Sequence, residues 1–186
     1  MKRWLSVVAA IVTAAVGLGS IAVAGADHDD DRKIKRVRAR LTGFQEIIPA
    51  PGGGAVSTTG QGTFRADIDE ASGLITYTLK YSGLTGEVRQ SHLHFGQHHT
   101  TGGISVWLCQ TTANPAPAPA AGAQPVPMCA EEVSGAFLAA NVIGPAAQGI
   151  AAGELAELIA AIKAGAVYVN VHSSVFLAGE IRGQLF

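Results

Sequence analysis

The chain has 186 residues, a formal net charge of −1 and only 15% charged side chains, with 23 glycines and 6% aromatic residues. This length suits one domain with its own core. The near-neutral charge argues against a protein that binds nucleic acid through its phosphates. A glycine-rich, weakly charged composition is more typical of an extracellular all-β domain than of a helical bundle.

The N-terminus has the pattern of an export signal. Lys2 and Arg3 precede the apolar run "WLSVVAAIVTAAVGLGSIAVA", which ends in small residues. This pattern predicts a signal peptide over residues 1–26, followed by a charged linker over residues 27–36. An uncleaved membrane anchor is the alternative, because the run is nearly long enough to span a bilayer. We therefore expect a secreted or periplasmic protein with no membrane span after cleavage.

Most of the remaining chain alternates between apolar and polar residues. Between positions 75 and 81, Ile75, Tyr77, Leu79 and Tyr81 alternate with threonine and lysine, which is the period of a half-buried strand. Similar segments, separated by glycine-rich turns, are "RLTGFQE", "GQGTFRADID", "SHLHF", "GISVWLC", "AVYVNVHS" and "AGEIRGQLF". The last two segments are close enough in sequence to pair as a hairpin.

One segment near the C-terminus has a helical period instead. "GELAELIAAIKAG" places leucine and isoleucine at helical spacing and ends at Gly165. About seven strands with one helix predict an all-β fold, either an antiparallel β-sandwich or a barrel-like Greek-key module.

The two cysteines, Cys109 and Cys129, predict a single disulfide if the chain is exported. They enclose residues 110–128, a stretch rich in proline and alanine that is typical of an extended polyproline conformation and is expected not to pack. A thiol-based metal or redox site is the alternative, but the C-x-x-C spacing usual for such sites is absent.

The segment "SHLHFGQHH" contains four of the six histidines. On a strand, His92 and His94 project from the same face, while His98 and His99 follow the turn at Gly96. Three strands in all carry a polar row backed by an apolar row: His92 and His94; Tyr168, Asn170 and His172; Glu180, Arg182 and Gln184.

These polar rows have three interpretations. The first is a mononuclear Cu or Zn site formed by His92, His94 and His172, with His98 or His99 as a fourth ligand. The second is a buried structural network in which Asn170, Glu180, Arg182, Gln184 and the histidines satisfy one another. The third is catalysis, for which Glu180 with a histidine is the only acid–base pair and no nucleophile motif is present.

The order of the motifs resembles that of a CHRD domain, the module named after chordin. "LTGFQEIIPAP", "GQGTFRADID", "YTLKYSGLTGEVRQSHLHFGQ", "GGISVWLC" and "YVNVHSSVFLAGEIRGQL" follow one another over residues 37–186. The resemblance implies an extracellular β-module of the exported bacterial type. The resemblance implies that a set of polar residues occupies positions of the family pattern: His94, Asn170, His172, Glu180, Arg182 and Gln184. It also implies that His98 and His99 are particular to this chain.

The resemblance implies no enzymatic activity. We therefore expect a non-enzymatic binding or structural module whose partner is an extracellular protein or surface ligand, with the metal site as the alternative. The H-x-H segment followed by glycine also resembles the copper strand of Cu/Zn superoxide dismutase. The full histidine set of that dinuclear site is not present, so a dismutase-like enzyme is a distant third hypothesis.

Overall fold

The structure, a computed structural model, describes residues 34–49 and 53–186. The predicted signal peptide and most of the predicted linker lie outside these residues. Within them, no helix has the length and apolar character needed to cross a membrane.

Eight strands form one antiparallel sheet, and one α-helix accompanies them. The strands are β1 (Ile34–Thr42), β2 (Gln61–Asp69), β3 (Leu74–Ser82), β4 (Val88–Phe95), β5 (Gly103–Cys109), β6 (Glu132–Phe137), β7 (Val167–Ser173) and β8 (Ile181–Gln184). The helix α1 spans Leu155–Lys163.

The strands follow one another in the sheet as β5-β4-β7-β8-β1-β2-β3-β6. The connection from β3 to β4 therefore crosses from one side of the sheet to the other, as in a Greek key. β1, β2 and β3 pair as a regular meander, while β7 and β8 form the hairpin expected from the sequence. The sheet curls into a nearly closed barrel, which confirms the predicted fold class.

The apolar rows of the strands meet inside the barrel. Ile75, Tyr77, Leu79 and Tyr81 are all buried, as their alternation predicted. The helix adds Leu155, Leu158, Ile159 and Ile162 to the same core. Burial of these side chains is the main term that stabilises the fold, at about 1.5–3 kcal/mol for each large aliphatic side chain.

Side-chain links join the edge strand β5 to β3 and to the segment that precedes the other edge strand, β6. The Tyr77 hydroxyl, which projects from β3 into the barrel, donates a hydrogen bond of 2.6 Å to the Leu108 carbonyl on β5. A disulfide joins Cys109 at the end of β5 to Cys129, with an S–S distance of 2.07 Å, and so confirms the predicted pairing. In a barrel whose first and last strands paired with each other, a ladder of backbone hydrogen bonds would take the place of these links.

The strand boundaries differ from the sequence prediction in three places. β1 already includes residues 34–36, which we assigned to the linker, because they continue the backbone pairing with residues 67–69 of β2; Arg36 adds an exposed ion pair with Asp67. The segment "GFQ" after β1 is a 3-10 turn and not a continuation of the strand. β6 was missed because Gly135 and Ala136 interrupt its alternation.

The Pro/Ala-rich loop of residues 110–128 has no buried residue, but hydrogen bonds tie it to the neighbouring segments. The Gln110 side chain contacts the loop at two points. Its Nε2 donates to the Val126 carbonyl at 2.8 Å, and its Oε1 accepts from the Ala116 N–H at 2.9 Å. The Asn141 amide makes a matching pair of hydrogen bonds with the backbone of Gln124. Two side-chain amides thus supply the polar contacts that a proline-rich backbone cannot provide for itself.

Candidate metal centre

The polar rows predicted from the sequence lie side by side on the outer face of the sheet. His92 on β4 is opposite Asn170 on β7, and Asn170 is opposite Arg182 on β8. One step along the strands, His94 is opposite Tyr168, and Tyr168 is opposite Gln184. The antiparallel register therefore brings together residues that are about 80 positions apart in the chain.

This outer face is buried, although it does not face the barrel interior. Residues 167–173 of β7 are buried on both faces. Three loops cover the polar side: residues 96–102, residues 174–179, and the segment after β1 that contains Glu46. Their backbone carbonyls supply most of the hydrogen-bond acceptors in this layer.

Two of these carbonyls fix the orientation of two histidine rings. His172 Nδ1 lies 2.9 Å from the Leu177 carbonyl, and His94 Nδ1 lies 2.9 Å from the Gly102 carbonyl. Because a carbonyl can only accept, both Nδ1 atoms carry the proton, and both Nε2 atoms keep a free lone pair. This outer-shell pattern is the one that metal-binding histidines usually show.

His92 completes the cluster. Its Nδ1 lies 3.2 Å from His172 Nε2. Each of the three histidines offers one nitrogen, and these nitrogens all lie within 4.8 Å of one another. For comparison, two nitrogens bound to one tetrahedral zinc at about 2.0–2.1 Å lie about 3.3 Å apart. Three imidazoles at this spacing could hold one Cu or Zn ion. Among the described residues, Nε2 of His92 and Nε2 of His94 are also buried without a hydrogen-bond partner.

Burial keeps the three imidazoles neutral. Removal from water lowers the pKa of His92 to about 2 and that of His94 to about 4, and neighbouring His172 lowers both further. Burial also lowers the pKa of His172. Neutral imidazole is the form that binds a metal, so no proton has to leave before binding at neutral pH.

Trp107 packs against one side of the cluster. It lies opposite His92 on β5, and the two ring centroids are 4.3 Å apart in an edge-to-face arrangement. The sequence analysis did not select Trp107 for the site. Its contact with His92 makes the indole a local reporter of the cluster.

Arg182, Tyr168 and His94 form a stack at the other side. The Arg182 guanidinium lies 3.4 Å from the centroid of the Tyr168 ring, and this ring is parallel to His94 at 4.8 Å. Arg182 also donates hydrogen bonds to the carbonyls of Thr100 and Gln97, at 2.7 and 2.9 Å. Gln184 donates to the carbonyls of Gly96 and Gly165. Arg182 thus holds the covering loop 96–102 in place, and Gln184 holds the start of that loop.

The expected pairing of Glu180 with Arg182 is not found among the described residues. Glu180 Oε1 accepts hydrogen bonds of 2.6 Å from the Thr58 hydroxyl and from the Thr85 N–H. Although burial raises its pKa, hydrogen bonds from Ser173, Thr58 and Thr85 together bring it below the usual value. Glu180 lies before β8 begins, so the alternation of that strand does not determine where its side chain points.

Glu46 is a buried acid that the sequence analysis did not assign to the site. It is 3% exposed and approaches the cluster from the segment after β1. Burial raises its pKa above the usual value, while Ile47, Arg182 and Asn170 act in the opposite direction. The only sequence signal was its place in the motif "LTGFQEIIPAP".

His98 and His99 are exposed at the tip of the covering loop, and they are not in the three-histidine group. Their rings are 5.7 Å apart. The sequence offered them as a fourth ligand, but the structure places their side chains in solvent.

The fold and the buried face together define a class of protein: a Greek-key β-barrel with a closed polar layer built on β4, β7 and β8. The model of the CHRD domain matches residues 37–185, and the chain belongs to this family. Comparisons with curated proteins and with solved structures found no significant match.

Proposed function

We propose that this CHRD-domain protein is an exported, non-enzymatic metal-binding module that holds one Cu or Zn ion on His92, His94 and His172. Export is supported by the sequence pattern of residues 1–26 and by the Cys109–Cys129 disulfide, since disulfides persist in oxidising compartments. Imidazole ligands suit copper and zinc better than they suit calcium or magnesium.

The single observation that carries the proposal is the arrangement of the ring nitrogens. Two carbonyls hold the Nδ1 protons of His94 and His172, so Nε2 of both rings is unprotonated. Among the described residues, Nε2 of His94 and Nε2 of His92 are buried and have no hydrogen-bond partner. A buried acceptor without a donor is unfavourable by about 1–3 kcal/mol. One cation between the three rings would satisfy these lone pairs together.

A purely structural network would distribute donors differently. It needs one donor for every buried acceptor, yet within residues 34–49 and 53–186 neither His92 Nε2 nor His94 Nε2 has a hydrogen-bond partner. For this reason the geometry favours the metal interpretation over the structural network at the histidines. Around Arg182 and Gln184, where the side-chain donors meet loop carbonyls, the network interpretation describes the contacts well.

The test is the metal content of untagged protein purified from a periplasm without chelators, measured by elemental mass spectrometry. We expect close to one equivalent of Cu or Zn in the parent protein and less than a tenth of that in His92→Ala/His94→Ala. The matched control is His98→Ala/His99→Ala, which removes two exposed histidines from the same segment and should keep the metal.

A titration of metal-free protein gives an independent measurement. Trp107 is the only tryptophan outside residues 1–26, so its fluorescence reports on one site. Added Cu²⁺ should quench it at one equivalent in the parent and in the control variant. A parent protein that neither retains nor takes up metal, or a folded double variant that binds as well as the parent, would refute the proposal.

A further inference from the structure

Asn170 lies where its side-chain oxygen faces the histidine cluster. Its Oδ1 is 3.1 Å from His172 Nε2. It also raises the pKa of His94, as an oxygen acceptor beside an imidazole does. Asn170 stands opposite His92 in the sheet register and two residues before His172 on β7, so it projects from the same face as the three histidines.

This oxygen has no donor to meet. His172 and His94 use their Nδ1 protons for the carbonyls of Leu177 and Gly102, so their Nε2 atoms are acceptors. Asn170 Oδ1 is an acceptor too. A single cation would satisfy both nitrogens and the oxygen at once.

The Glu46 carboxylate lies beside the other end of the Asn170 amide. Asn170 Nδ2 lies 3.0 Å from the position that a Cβ on Gly179 would occupy, and Glu46 Oε2 lies still closer to that position. Asn170 is among the groups that act to lower the pKa of Glu46, as an amide N–H near a carboxylate does. No donor of the described residues reaches Oε2 with full hydrogen-bond geometry. A reversed amide would place its oxygen against a carboxylate, so Glu46 keeps Oδ1 turned toward the histidines.

We propose that Asn170 Oδ1 is the fourth protein ligand of the metal ion and that Glu46 is the positioning residue that orients it. This inference rests on the proposed three-histidine site. It gives the ion three imidazole nitrogens and one amide oxygen. The carboxylate of Glu46 polarises the amide and increases the negative charge on that oxygen.

Co²⁺ is the suitable probe, because its visible absorption reports coordination geometry independently of any activity. We would compare the affinity for Co²⁺, by competition with a chelator, and the visible spectrum of the bound ion. Asn170→Ala should lower the affinity roughly tenfold or more, as changes around metal ligands commonly do. It should also alter the spectrum, because water replaces the amide oxygen.

Three further variants separate ligation from structural support. Asn170→Asp keeps an oxygen at the same place and should restore the affinity, even if Asn170→Ala folds poorly. Glu46→Ala should weaken binding, whereas Glu46→Gln, which keeps an acceptor for the Asn170 amide, should restore most of it. Gln184→Ala is the matched control: it removes a buried amide from the same face, and it should reduce stability but leave the spectrum unchanged.

The outcomes distinguish the two proposals. If the parent protein binds no Co²⁺, Zn²⁺ or Cu²⁺, the proposed function itself fails. If the parent binds Co²⁺ and the folded Asn170→Ala variant has the same affinity and spectrum, only the fourth ligand is refuted. The fourth ligand is also refuted if Gln184→Ala changes the spectrum as much as Asn170→Ala does. The positioning role of Glu46 fails if Glu46→Ala binds as the parent does.

Discussion

At the scale of single residues, the polar layer owes its chemistry to burial. Histidine in water titrates near pH 6.5, but His92, His94 and His172 all have lowered pKa values because the charged form would lose its hydration. The same layer contains Glu46, whose pKa is raised for the same reason. Burial therefore acts against the charged form of the acid and of the bases alike.

The stability of the metal-free protein should fall as the pH is lowered below about 6.5. The unfolded chain takes up protons on its histidines in this range, while the folded protein does not, so protonation favours unfolding. The stabilising effect is complete above pH 6.5, and its loss amounts to about 1 kcal/mol per pH unit for each of His92 and His94, whose pKa values lie well below this range. His172 acts in the same direction. Glu46 has the opposite effect on the free energy of unfolding, because its raised pKa lets the folded protein take up this proton before the unfolded chain does. One acid, however, opposes three histidines.

Urea unfolding of metal-free protein between pH 7.5 and 5 measures this dependence. The range lies above the region in which Asp67 and Glu180, whose pKa values are lowered, begin to lose their charge. His98→Ala/His99→Ala should show the same dependence as the parent. A free energy of unfolding that stays constant over this range would contradict the burial of the three neutral histidines.

At the scale of elements, the loop of residues 96–102 is held down by Arg182. The guanidinium donates to two carbonyls of this loop and lies over Tyr168. Alternation correctly placed Arg182 on the polar face of β8. Its partners were not predictable, because they are backbone carbonyls of a loop more than 80 positions away.

Arg182→Ala should reduce the free energy of unfolding by about 3 kcal/mol, since it removes two buried hydrogen bonds from a charged donor. Arg182→Lys should recover only part of this loss, because an ammonium group cannot reach two carbonyls with the planar fork of arginine. The amide of Gly102, which donates to the Tyr168 hydroxyl, should exchange faster with solvent in both variants.

Arg65→Ala provides the control, because Arg65 is an exposed arginine on β2. It should change the stability by less than about 0.5 kcal/mol. If Arg182→Ala has an effect that small, with unchanged exchange at Gly102, then Arg182 does not hold the loop.

At the scale of the whole molecule, the barrel is nearly closed, and the Cys109–Cys129 disulfide stands at the gap between β5 and β6. Twenty positions separate the two cysteines. The bond also fixes the base of the Pro/Ala-rich loop, which Gln110 and Asn141 then anchor to the barrel. Removing it should affect the edge strands first.

Cys109→Ser/Cys129→Ser should lower the free energy of unfolding by about 3 kcal/mol, the chain-entropy value for a loop of this length. Denaturant unfolding of the oxidised parent and the variant gives the difference. The parent in the presence of a reductant is the matched comparison and should behave like the variant. A change below about 1 kcal/mol would mean that the Tyr77–Leu108 contact and the two amide anchors hold the edge without the bond.

The sequence by itself determined the β architecture and much of the candidate site. The alternation of residues along β3, β4 and β7 assigned each side chain to one of two faces, because successive side chains of a pleated strand point to opposite sides. The two cysteines and the helix followed from equally local patterns. The same alternation was sufficient to identify His92, His94 and His172 as members of one polar face.

Only the tertiary structure decided what covers the polar face. Alternation distinguishes the two sides of a strand, but it does not show which loop lies over either side. The approach of Glu46, the carbonyls of Gly102 and Leu177, and the partners of Glu180 all depend on chain segments that are distant in sequence. The physical reason is that a buried polar group needs a specific donor or acceptor, whereas a buried apolar group needs only to leave water.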